Sequence, residues 1–102
     1  MEDKKKEFEQ YKGDIQTVLR YAEKLITGDR LQDYGSPEES FKRIAKMWSA
    51  FKGVEFTAQE VALMMSLLKI SRLANSIDHY DSWIDLLGYV AIGSTLGEED
   101  GI

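Results

Sequence analysis

The stretch that most constrains this chain runs from Val61 to Ile92. Two apolar segments, VALMMSLLKISRLANS and DSWIDLLGYVAIG, are joined there by a short polar link. Each is apolar nearly all the way round, yet the first carries Lys69 and Arg72 and the second carries Asp81 and Asp85. A charge set into such surroundings needs a partner, because an isolated buried charge is very costly. The identity of those partners decides the function.

Length and composition set the frame for that pair. A chain of 102 residues is the size of one domain and buries roughly two-thirds of the surface that its unfolded form exposes. Hydrophobic residues at 43% and charged ones at 30% describe an ordinary globular protein, not a disordered one. There is no cysteine, which excludes disulfides and thiolate metal sites and suits a cytoplasmic setting. The start, MEDKKKEFEQ, lacks an apolar core, and no apolar run reaches membrane-span length. A net charge of −5 argues against a nucleic-acid binder. It leaves room for a small anion held by a few focused cations.

The pattern along the chain is helical throughout, with no lasting period-two alternation. Phe8, Tyr11, Ile15, Val18, Ala22 and Leu25 form one stripe, predicting a first helix over about residues 4–27 that Gly28 ends. Ser36-Pro37-Glu38-Glu39 reads as a capping box with proline at the first helical position, opening a helix over 37–51. Its inner face carries Phe41, Ile44, Ala45, Trp48 and Phe51, and Gly53 breaks it. Thr57 to Glu60 is a second capping box, opening a helix over 58–75. The last helix runs over 81–96, with Asp78 as a cap and Gly97 as the stop; residues 97–102 read as a flexible tail. The expectation is an all-α four-helix bundle in a single domain. Helices three and four carry more apolar circumference than two other helices can cover, and Gly88, Ala91 and Gly93 would let another backbone approach. A homo-oligomer follows as an expectation.

Lys69 and Arg72 share a face of helix three, and Asp81, Asp85 and Tyr89 share a face of helix four. The plain reading is a salt-bridge network that fixes helix register. The functional reading is a pocket in which the cations meet phosphate and the aspartates meet sugar hydroxyls, a base edge or Mg²⁺. His79, the one histidine, lies in the link beside Asp78 and Asp81. It reads more readily as a capping residue than as a catalyst. Arg30 and Tyr34 precede the N-terminus of helix two, where helix N–H groups favour an anion. With one histidine and no cysteine, no metal is expected as a resident ligand.

The runs YGSPEESFKRIAKMWSAF, LMMSLLKISRLANS and HYDSWIDLLGYVAIG, within about residues 30–95, resemble a family of small phage and prophage proteins. More distantly they resemble the phage nucleotide-modification-associated domain and the all-α nucleoside triphosphate pyrophosphohydrolases of the MazG and dUTPase type. That likeness implies a MazG-like oligomeric bundle and a nucleotide as partner. Those enzymes hold Mg²⁺ with an E-x-x-E pair on one helix and an acidic pair on the next. Asp81 and Asp85 match the second pair, but Lys69-Ile70-Ser71-Arg72 stands where the first belongs. Two cations in place of two carboxylates remove most of the charge that binds Mg²⁺.

Three functions are expected from this, in order. The first is a phage nucleotide-binding protein that sequesters or senses a nucleotide without turnover, such as a cyclic defence signal. Its ligand set is Arg30, Tyr34, Lys69, Arg72, His79, Asp81, Asp85 and Tyr89, with no cofactor. The second is a divergent Mg²⁺-dependent pyrophosphohydrolase using Asp81, Asp85 and Glu60. The third is a helical protein–protein adaptor whose charge network is structural.

Overall fold

The computed structural model describes residues 13–29 and 35–97. Four α-helices and no strand occur among them. Helix α1 is Ile15–Lys24 and runs on as a π-helical turn, Leu25–Asp29. Helix α2 is Pro37–Lys52, α3 is Ala58–Asn75 and α4 is Tyr80–Thr95.

The caps explain the boundaries. The Ser36 hydroxyl accepts the Glu39 N–H at 3.4 Å, and Pro37 stands at the first helical position of α2. Gly53 closes that helix at φ 73°, a left-handed conformation that a side chain would resist. At the start of α3 the box is reciprocal. Thr57 Oγ1 accepts the Glu60 N–H at 3.0 Å and Glu60 Oε1 accepts the Thr57 N–H at 2.9 Å.

The structure departs from the sequence pattern at several positions. The first helix does not run unbroken from residue 4: Gly13 sits at φ 91° and Asp14 caps a helix that begins at Ile15. Residues 4–12 of that expectation lie outside the described residues. Gly28 is not a left-handed stop; it lies inside the π turn with ordinary φ. Phe51 is not on the inner face but 86% exposed. The reason lies in the next link, where Phe56 packs edge-on against Trp48 with ring centroids 5.9 Å apart and covers that end of the core. Asp78 does not cap α4; His79 occupies the N-cap position.

Helices α3 and α4 form the central pair, with α2 packed on α3 and α1 on α4. The pair is antiparallel: Gln59 Nε2 donates to the carbonyls of Gly93 (3.0 Å) and Leu96 (2.8 Å) at one end, and Lys69 meets Asp85 further along. One core cluster gathers Phe41, Ala45, Ala58, Val61, Ala62 and Leu96 between α2, α3 and the end of α4. The other gathers Tyr21, Ala22 and Ile84 between α1 and α4. Tyr21, left out of the sequence stripe, is thus core, whereas Ile15 at the first turn is exposed.

The small residues of α4 serve packing within the chain. A Cβ on Gly93 would lie 2.9 Å from the Ala62 Cβ, and one on Gly88 would lie 3.3 Å from Ile26 Cδ1. Close approach at both therefore belongs to α3 and to the π turn, not to another copy. Ala91 alone of the three faces outward. No helix among the described residues is long and apolar enough to cross a membrane.

Candidate functional site

The polar strip between α3 and α4 is built by the register just described. Lys69 Nζ lies 3.0 Å from Asp85 Oδ2, with the two side chains 13% and 16% exposed. Taking both charges largely out of water costs several kcal/mol per ion, and direct contact offsets that cost only when geometry is good. The pair is closed, with no room for a phosphate between its two atoms. It therefore locks α3 against α4.

Arg72, one turn further along α3, is exposed and makes no ion pair among the described residues. Asp81 is half-buried in the first turn of α4, where its negative charge complements the helix dipole. Tyr89 continues the same face but belongs to the core, its ring tilted against Phe41 with centroids 6.0 Å apart. Arg30 and Tyr34 lie outside the described residues. Of the eight expected ligand residues, the structure thus brings two into contact, lines up Arg72 and Asp81 beside them, and gives Tyr89 to packing.

His79 makes its contacts within its own link and the first turn of α4. Its Nδ1 lies 2.6 Å from Ser82 Oγ, and the Ser82 N–H donates to the His79 carbonyl at 3.0 Å. Ser82 is fully buried, so this Ser–His contact ties the link to the first turn of α4 and offers no accessible nucleophile. The indole of Trp83 pins the same link by donating to the Ile77 carbonyl at 2.8 Å. Sequence reading missed Ser82, because a lone serine in an apolar run carries no signal of its depth.

Among the described residues no group of three or more histidine or carboxylate side chains converges as a metal site. The Glu60 carboxylate is occupied by the Thr57 N–H, and Asp85 by Lys69. The N-terminus of α2, offered as an anion site, already carries Glu38 and Glu39 in its first turn and the Ser36 cap.

What the site lacks in openness the surface of α3 has in apolarity. Leu63, Met64, Leu67, Leu68 and Ile70 all lie exposed on it. No helix among the described residues covers these five side chains, which by helical spacing lie on the side of α3 turned away from Lys69.

The Gene 55 protein of Mycobacterium phage L5 is 47% identical over 77 residues, which are 74% of this chain and 49% of that protein. The Gene 55 protein of Mycobacterium phage D29 is 37% identical over 84 residues, 82% of this chain and 56% of that one. The chain thus spans about half the length of the curated relatives it matches. No solved structure matches. Residues 17–97 match the model of a family described as a domain of unknown function, DUF6378, and the chain belongs to that family.

Proposed function

We propose that the protein is a phage-encoded helical adaptor that assembles with copies of itself through α3, its buried charge pair being structural. One observation carries this reading. Leu63, Leu67 and Ile70 are 61%, 63% and 48% exposed, and Ala74 continues their four-three-four spacing along one face. That spacing is the seam of a helix pair. Each exposed aliphatic side chain stands to gain on the order of 1 kcal/mol or more from burial. A seam without charges is also self-complementary about a two-fold axis, whereas the remaining surface of a chain with net charge −5 repels its copy. The structural reading of the pair follows from the direct 3.0 Å contact of Lys69 with Asp85.

Sedimentation of the wild-type chain at micromolar concentration tests the reading. A dimer or larger species that becomes a monomer in Leu67→Lys supports it, and a wild-type monomer sinks it.

A second reading, nucleotide binding without turnover, draws support from Arg72 alone. Its guanidinium is exposed and without an ion pair among the described residues, which suits a phosphate. Lys69 would join only if its contact with Asp85 opened. On this reading a nucleotide raises the melting temperature, and Arg72→Ala abolishes the shift more completely than Lys69→Ala. A panel of nucleotides, cyclic species included, that gives no shift removes it. The hydrolase reading requires Asp85 and Glu60 to leave their present partners for Mg²⁺. Magnesium-dependent pyrophosphate release, lost in Asp85→Asn, would be its mark.

A further inference from the structure

A second apolar surface shares no residue with the α3 seam. Between α1 with its π turn, the start of α2 and α4 runs a groove of about 670 Å³, a volume typical of binding clefts. Its two walls repeat at helical spacing, with Leu19, Ala22 and Ile26 on one side and Leu87, Val90 and Ala91 on the other. Ridges three and four residues apart on two neighbouring helices take a third helix between them. Gly88 lets Ile26, one of the lining residues, pack close against α4, since an added Cβ there would lie 3.3 Å from Ile26 Cδ1.

Charge selects the occupant. Glu23 on α1 and Glu38 on α2 stand at the rim, both exposed and neither in an ion pair among the described residues. No lysine or arginine is among the described residues that line the groove. We infer that this groove docks an amphipathic helix of a partner protein, one that brings apolar residues at three-four spacing and flanks them with lysine or arginine. A second copy of this acidic chain is the less suitable guest, because the rim carries the sign of its own net charge. The inference extends the adaptor reading by naming the partner's chemistry. It uses different residues from the α3 seam, so the two fail separately.

The test uses the full chain and a fluorescent probe helix with leucines three and four apart and flanking lysines. A control peptide carries glutamate at every lysine position. By anisotropy the basic probe binds, and the acidic one binds at least about tenfold more weakly. Glu23→Lys combined with Glu38→Lys weakens the basic probe by about tenfold or more, as does Ala91→Trp, which fills the groove. Circular dichroism and melting verify that the variants fold, and Val90→Glu at an exposed position replaces Ala91→Trp if that variant unfolds. The inference is overturned by no binding of the basic probe, by equal binding of both peptides, or by unchanged affinity in the groove-filling variant. A change of oligomeric mass in Ala91→Trp also overturns it, by assigning the groove to a second copy.

Discussion

Lys69 and Asp85 are where the residue scale decides between functions. The pair is mostly out of water, and its partners touch at 3.0 Å. Asp85→Leu strands the Lys69 ammonium and is expected to cost about 2 kcal/mol in urea unfolding. Adding Lys69→Met to that variant restores most of the loss, since the stranded ion is then gone. A double variant no more stable than Asp85→Leu contradicts a structural pair. Asp14 gives a second prediction at this scale. Hydrogen bonds from Thr17, side chain first and then backbone N–H, hold its carboxyl below the usual 3.8. A folded value lower than the unfolded one means that the cap contributes fully above the ordinary carboxylate range. That contribution is lost as pH falls through the lowered value. Asp14→Asn keeps a capping side chain but no longer titrates. Its melting temperature should therefore fall less than wild type's on acidification, and equal slopes would refute the cap's part in acid sensitivity.

Among the elements, the helices that were legible are those with caps written in the chain. The reading of 58–75 coincides with Ala58–Asn75, because Thr57 and Glu60 satisfy each other's backbone N–H groups whatever packs outside. The first helix was misread because an apolar stripe continues through Gly13-Asp14, and a stripe does not reveal that the backbone turns there. Trp48 was legible as a core residue from its spacing, while Phe51 on the same spacing was not, since its fate depends on Phe56 arriving from the next link. The candidate site was legible only as a set of charges. Whether Lys69 reaches Asp85 or a ligand depends on the register of α3 against α4, and periodicity does not state a register. The register itself rests on Gly93, where an added Cβ would come within 2.9 Å of the Ala62 Cβ. Neither methyl group can swing aside, so Gly93→Ala must push the helices apart. The expected cost is about 2 kcal/mol, read by thermal or urea unfolding. Ala62→Gly in the same chain should recover part of it beyond additivity. Simple addition of the two effects would show that the contact is not where the strain falls.

At the scale of the whole molecule the chain presents more hydrocarbon than its two core clusters absorb. Every helix leaves large apolar side chains in solvent: Leu19 on α1, Met47 and Phe51 on α2, Leu63, Leu67 and Ile70 on α3, Trp83 and Val90 on α4. Scattered exposure of this kind is normal on a protein surface. A charge-free row at seam spacing is different, because every member can be buried by one event, the arrival of a second helix with the same row. Association of that kind makes stability depend on concentration, since the folded assembly is favoured by mass action over the unfolded monomer. The melting temperature of the wild-type chain should therefore rise with each tenfold increase in concentration. Leu67→Lys, at the centre of the row, should melt at a temperature independent of concentration. Phe51→Lys, more exposed still but off the row, should keep the dependence. Exposure alone would give both variants the same behaviour, so it is the difference between them that identifies the α3 row as the surface where copies meet. Identical concentration dependence in Leu67→Lys and Phe51→Lys would transfer the interface to another face of the molecule.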